Sequence, residues 1–294
     1  MRWKTKITQL TGIKYPIIMG AFAGVGRAKF AAKFSDVGGL GIITALNFNT
    51  KDEFREELQT MKNLTNKPFG INFSIMPPEM AKRVNNPKNE NFYLGFLDIA
   101  LDNGVKIFTT SAYQAPTIGK KIHNAGGLWF HKCTTLKHAQ SAENLGADAI
   151  TMVGLEGTGF KNPLQNTTLV NITMAKRLLK VPIIAAGGIG DARGFLAALA
   201  MGADAVCFGT AIMATEECGA PNSYKRKLIH QDIFDPIYHK KIFHYQLKDK
   251  AIWSPAAGHI EQIVSLKSFI DKIVSDAESI LRSWGYRGEE FSTL

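Results

Sequence analysis

Cysteine is scarce in this chain. The three present, Cys133, Cys207 and Cys218, are odd in number and show no C-x-x-C spacing, which argues against a disulfide framework and a cysteine-bound zinc ion. They read as reduced, buried thiols, and no metal site is expected. Missing too is any uninterrupted apolar stretch long enough to span a bilayer, and the opening Met1-Arg-Trp-Lys-Thr-Lys-Ile-Thr-Gln lacks the apolar centre of a secretory signal. The expectation is a cytoplasmic protein without membrane contact. Acidic residues are the minority, 25 against 35 Lys and Arg, giving a net charge of +10. Concentrated on one face, that surplus would suit nucleic acid. Only Tyr224-Lys-Arg-Lys227 and His239-Lys-Lys241 form small clusters, however, so the reading is a solvated lysine-rich surface with no nucleic-acid partner.

What is present is an ordinary globular composition, 45% hydrophobic and 20% charged over 294 residues. That length suits one α/β barrel and demands no second domain. The organising stretch is Val181-Pro-Ile-Ile-Ala-Ala-Gly-Gly-Ile-Gly190, followed by a helical run and then Ala203-Asp-Ala-Val-Cys-Phe-Gly-Thr210. Two short apolar runs, each closed by glycine and separated by one helix, read as adjacent parallel strands buried on both faces. Glycines at their ends free backbone N–H groups for an anion, and a helix start at Asp191 or Thr210 adds a positive dipole end. In an eight-stranded barrel a phosphate commonly sits after the last two strands.

Six more strand signals lie upstream: Tyr15 to Gly20, Leu40 to Ala45, Pro68 to Ser74, Val105 to Thr110, Gly127 to Lys132 and Asp148 to Gly154. Helical patterns alternate with them. Thr50 caps the run Lys51 to Leu64, in which Phe54, Leu58 and Met61 recur at helical spacing. The count of eight strands and seven helices up to Thr210 predicts a TIM (β/α)8 barrel, with an open doubly wound sheet as the structural alternative. The final helix is expected from Leu266 to Trp284. Residues 216–265 then form an insertion after the eighth strand, on the active face, where it reads as a lid or a dimer contact of a single domain spanning residues 1–294.

The ordered set of motifs resembles the nitronate monooxygenase (2-nitropropane dioxygenase-like) family, which includes flavin-dependent enoyl-acyl carrier protein reductases. The set comprises Pro16-Ile-Ile-Met-Gly-Ala-Phe22, Val37-Gly-Gly-Leu-Gly-Ile42, Gly70-Ile-Asn-Phe73, Phe130-His-Lys132, Gly146-Ala-Asp-Ala149, Ala185-Ala-Gly-Gly-Ile189, Gly202-Ala-Asp-Ala205, Gly209-Thr-Ala-Ile-Met-Ala-Thr-Glu-Glu217 and Ile252-Trp-Ser-Pro-Ala-Ala-Gly258. No single piece is specific; their order is. The resemblance implies FMN at the barrel mouth, with Gly187, Gly188, Gly209 and Thr210 at the phosphate, Gly20, Ala21 and Phe22 lining the isoalloxazine, and Asn72 and Lys132 as polar contacts to it. An amide such as Asn72 suits a pyrimidine edge, and a cation such as Lys132 stabilises negative charge on the ring.

Two departures stand out. The family's catalytic histidine corresponds to Phe160, after Glu156-Gly-Thr-Gly, and a phenyl ring neither accepts nor donates a proton. Met19 stands where many relatives have glutamine. Lys161, next to the departed position, is a weak substitute base whose ordinary role is a solvated loop lysine; Glu156, His131 and His259 are the other ionisable candidates. His131 and Lys132 alternate along one strand, so one faces the barrel interior and the other the helices. The implied activity is oxidation of a small nitronate-like donor by flavin, with oxygen as acceptor. The alternatives are an NAD(P)H-dependent flavin reductase of an enoyl or quinone substrate, and a non-redox phosphate-binding barrel (lyase, isomerase or nucleotide-binding protein). A homodimer is compatible with the insertion.

Overall fold

The computed structural model describes residues 1–76, 88–159, 162, 164–243 and 254–293. The chain opens with β1 (Arg2–Lys4) and α1 (Lys6–Thr11). Then follow β2 (Ile17–Met19), α2 (Ala28–Asp36), β3 (Gly41–Thr44), α3 (Lys51–Leu64), β4 (Phe69–Ile75), α4 (Glu90–Asp102), β5 (Ile107–Ala112), α5 (Pro116–Asn124), β6 (Leu128–Cys133), α6 (Leu136–Asn144), β7 (Ala149–Val153), α7 (Thr168–Leu178), β8 (Ile183–Ala186), α8 (Ala192–Ala200) and β9 (Ala205–Phe208). After β9 come α9 (Asn222–Ile229), α10 (Pro236–Phe243), α11 (Leu266–Ser283) and β10 (Glu290–Ser292).

Strands β2 to β9 form one parallel sheet in the order β2-β9-β8-β7-β6-β5-β4-β3. The two outer strands meet: Met19 N donates to Leu40 O and Leu40 N to Ile17 O, both at 2.9 Å, which closes the sheet into a barrel. The expected eight-stranded barrel is therefore present, and no barrel strand extends more than two residues beyond the run expected for it, β5 reaching Ala112 where Thr110 was the expected end. These strands read as near-continuous apolar runs because both faces are covered, by side chains filling the barrel on one side and by helices on the other. β3, β7 and β8 are buried along their whole length.

Local chemistry fixes the helices. Thr50 Oγ1 accepts from Glu53 N and Glu53 Oε2 from Thr50 N, a reciprocal capping box that starts α3. Glu57 of α3 accepts the N–H of Ala28, capping the neighbouring α2. Helices approach the sheet closely where glycine permits: a Cβ on Gly119 of α5 would lie 2.3 Å from the ring of Trp129.

The parallel pairing of β1 with β10 was not expected from the sequence. Trp3 of β1 is buried between Phe195 of α8 and Phe291 of β10, at ring separations of 5.1 and 5.0 Å. Asp204, preceding β9, accepts from Lys6 N and Thr293 Oγ1, so this ribbon covers the N-terminal end of the barrel, opposite the strand ends that carry the candidate site.

β6 shows how the barrel sorts side chains. Lys132 points into the barrel mouth, whereas Trp129 and His131 point to the helices. His131 is fully buried, with Nδ1 2.7 Å from Thr110 Oγ1 and Nε2 3.1 Å from Nε2 of His138 on α6. Trp129 Nε1 donates to the same Thr110 oxygen; the set is satisfied when Thr110 donates its proton to a neutral His131. Burial, aided by His138, pushes the His131 pKa down to about 3. Its unfolded value is about 6.5, so the unfolded chain binds the extra proton first as pH falls. The neutral imidazole's contribution is complete above about pH 6.5 and is lost towards pH 3, at up to about 1.4 kcal/mol per pH unit. Urea unfolding between pH 7 and pH 4 is expected to show a loss of a few kcal/mol, of which His131→Gln removes most. An equal pH slope in the two proteins would contradict this role for His131.

Candidate functional site

At the C-terminal ends of the strands lies a cleft open to solvent. It is lined by Gly20, Ala21 and Phe22 after β2, Lys132 of β6, Gly187 and Gly188 after β8, and Gly209 and Thr210 after β9. Eight of the nine residues expected to bind the cofactor thus meet in one place. β9 lies between β2 and β8 in the sheet, so the turns after β8 and β9 are neighbours although more than a helix separates them in sequence.

The two glycine turns expose donors. Gly187 and Gly188 have φ of +108° and +73°, a left-handed region that only glycine enters without strain. Among the described residues, no acceptor takes a hydrogen bond from the N–H of Gly187, Gly188, Gly209 or Thr210. A Cβ on Gly209 would meet no atom within 4 Å, so that glycine borders open space. Thr210 opens a short 3-10 turn, Thr210–Ile212. Backbone amides without an acceptor among the described residues, at the ends of adjacent strands, have the chemistry to hold an anion.

Lys132 adds the charge. Among the described residues its ammonium has no hydrogen-bond or ion-pair partner. It lies close enough to Cys207 of β9 for its charge to oppose the rise that burial imposes on that thiol's pKa. Other supports hold the loops. Phe22 N donates to Thr44 Oγ1, while Asn47 Nδ2 donates to Phe22 O and Gly26 O, bracing the turn after β2. Gln165 Nε2 donates to Val153 O and Gly154 O at the end of β7.

Asn72 is not among the residues lining the cleft. It is buried on β4, opposite Thr109 of β5 in the ladder, and its Nδ2 donates to Thr109 Oγ1 at 2.9 Å while its Oδ1 accepts from Ser74. Of the ionisable candidates, Glu156 is bound to the start of α7 and His131 belongs to the helix side of the sheet. His259 is exposed and packs over Gly190, outside the cleft. Phe160 and Lys161 lie outside the described residues.

The insertion reaches the cleft at two points. Tyr224 of α9, Ala256 of another 3-10 turn (Pro255–His259) and Ser254, which caps that turn, line it. Ser254 N donates to Thr210 Oγ1 at 3.1 Å, and Tyr238 of α10 donates to Ser254 O. The buried ammonium of Lys225 anchors α9 by donating to Thr215 O and Glu216 O. With Gly157, Thr158, Cys207 and Met213, these residues were not expected at the site. Only the short turns after apolar strands carry a local signal; the others arrive through long loops.

Fold and cleft together define an α/β barrel with a glycine-lined cleft at the ends of two adjacent strands. The sequence model of the nitronate monooxygenase family matches residues 4–249, and the chain belongs to that family. Members of the family are flavin-dependent oxidoreductases. Among relatives, the (3aS,4S,5R,7aS)-5-hydroxy-7a-methyl-1-oxo-octahydro-1H-indene-4-carboxyl-CoA dehydrogenase of Mycobacterium tuberculosis is 29% identical over 230 residues, covering 78% of this chain and 61% of the relative. The chain thus spans about three fifths of that relative's length. A probable nitronate monooxygenase of Staphylococcus haemolyticus is 29% identical over 270 residues, covering 81% of this chain and 75% of that one. The solved structure of FabK from Thermotoga maritima is 26% identical, with a TM-score of 0.80 over 97% of this chain and 99% of that chain. Among the described residues no helix is long and apolar enough to cross a membrane.

Proposed function

We propose that this chain is an FMN-dependent oxidoreductase that oxidises a small, nitronate-like organic donor, with oxygen as electron acceptor. The observation that carries this reading is the set of backbone amides at Gly187, Gly188, Gly209 and Thr210, which have no acceptor among the described residues and line the cleft that Lys132 enters. Their chemistry fits FMN: the four amides would hold its terminal phosphate, Gly20, Ala21 and Phe22 would line its ring, and Lys132 would face the ring's electron-rich edge. Asn72 would serve as a further contact by giving up its internal bonds. When bound, the flavin supplies the two-electron chemistry that no side chain here provides.

The chain's own residues supply position and charge. The glycine turns fix the phosphate end, and the Lys132 ammonium, which has no counter-ion among the described residues, stabilises negative charge developing in the cleft. Tyr224, Ser254 and Ala256 bring the insertion 216–265 against the cleft wall, and we assign it the role of a lid that limits water. A nitronate is already an anion, so its oxidation needs no base at the position of Phe160. The dehydrogenase relative favours a second reading, an NAD(P)H-dependent flavin reductase of an enoyl or quinone substrate.

The purified protein is expected to be yellow and to release FMN on denaturation. Colourless protein that takes up no added FMN would reject both flavin readings. Anaerobic mixing separates the two: alkyl nitronates are expected to bleach the flavin, and bleaching by NADH or NADPH alone would reject the nitronate reading in favour of the second.

A further inference from the structure

Thr168 opens α7 beneath the first glycine turn. Its hydroxyl lies 2.9 Å from Gly187 O, 2.8 Å from Glu156 Oε2 and 3.5 Å from Ala186 O. Its backbone N–H also donates to Glu156 Oε2, at 2.9 Å. A hydroxyl has one proton to give. That proton is shared between the Glu156 carboxylate and the Gly187 carbonyl, so the hydroxyl ties the carbonyl to the start of α7 alongside the carboxylate.

The consequence follows from peptide planarity. The carbonyl of Gly187 and the N–H of Gly188 belong to one planar trans peptide and point in opposite directions. A bond that holds the carbonyl towards α7 therefore turns the Gly188 N–H away from α7. Gly188 lines the cleft, and its N–H has no acceptor among the described residues. Two successive glycines with positive φ have little stiffness of their own, so an outside contact must set the plane. Room for that contact is kept by Gly154, where a Cβ would lie 2.0 Å from Thr168 Oγ1.

We propose that Thr168 is a positioning residue for anion recognition: by holding the Gly187 carbonyl it aims the Gly188 amide at the ligand's phosphate, and so sets the preference for a phosphorylated flavin over the same ring without phosphate. This rests on the flavin reading of the cleft. The test is titration of flavin-stripped, full-length protein with FMN and with riboflavin, followed by flavin fluorescence, alongside thermal unfolding. Wild type is expected to bind FMN more tightly than riboflavin. Thr168→Val, close in shape, is expected to raise the Kd for FMN about five- to tenfold, the worth of one hydrogen bond, and to leave riboflavin within about twofold. Thr168→Ala should give the same ratio, and Thr168→Ser, which keeps the hydroxyl, should restore wild-type preference. An unchanged FMN Kd in the valine and alanine variants, or equal losses for both flavins, would overturn the role of Thr168 while leaving the flavin reading intact. A wild type that binds neither flavin, or does not distinguish them, would overturn the phosphate reading and with it this inference.

Discussion

Gly209→Val is expected to weaken FMN binding by at least about 100-fold, or about 2.7 kcal/mol, in a protein that still folds. Gly209 follows β9 and lines the cleft, and a side chain added there meets no protein atom within 4 Å of its Cβ. The valine therefore takes space that the ligand needs. It leaves the packed core alone. The backbone at this position, φ −110° and ψ −102°, is unfavourable for valine by roughly 1–3 kcal/mol, which a domain of ordinary stability tolerates. Fluorescence titration of FMN and urea unfolding measure the two quantities separately. Wild-type FMN affinity in the folded variant would remove Gly209 from the site.

Gly41→Ala is the counterpart for stability, with an expected loss of about 3 kcal/mol or more. Gly41 begins β3, where α2 crosses close behind the strand. A Cβ would lie 2.0 Å from Ala31 O and 2.7 Å from Ser35 Oγ. The first contact is with backbone inside a helix, so no side-chain rotation relieves it, and α2 must move away from the sheet. Ser35 Oγ also accepts the N–H of Gly41 and donates to Pro68 O, and a shift of α2 breaks that link between β3 and the start of β4. Equilibrium unfolding in urea measures the effect; a loss below about 1 kcal/mol would contradict a rigid contact between α2 and β3 at this point.

The barrel was legible because its strands are buried on both faces, which leaves continuous apolar runs such as Ile183 to Ala186, and because caps such as Thr50 with Glu53 mark helix starts. The ribbon of β1 and β10 left no comparable trace. Each strand has three residues, too few for periodicity, and their pairing joins opposite ends of the chain. At the site the glycine turns were legible for the same reason as the strands they end, since glycine after an apolar run has few other purposes. Lys132 and His131 were separable into inner and outer faces only in principle until the register of β6 placed one at the mouth and the other against His138. Asn72 shows the opposite case. Its neighbour Thr109 lies directly across the β4–β5 ladder, and a cross-strand pair of this kind offers an amide an internal partner that no stretch of local sequence reveals. Tyr224, Ser254 and Thr168 carry no local sign of a place at or near the cleft, because their positions depend on long connections folding back over the strand ends.

The most direct test of the whole account is a crystal structure of the protein saturated with FMN. The phosphate oxygens are expected within hydrogen-bonding distance, about 2.7–3.2 Å, of the backbone nitrogens of Gly188 and of Gly209 or Thr210, with the isoalloxazine against Ala21 and Phe22 and Lys132 at its edge. A phosphate held elsewhere, with the Gly188 and Gly209 amides bonded to protein carbonyls, would contradict it.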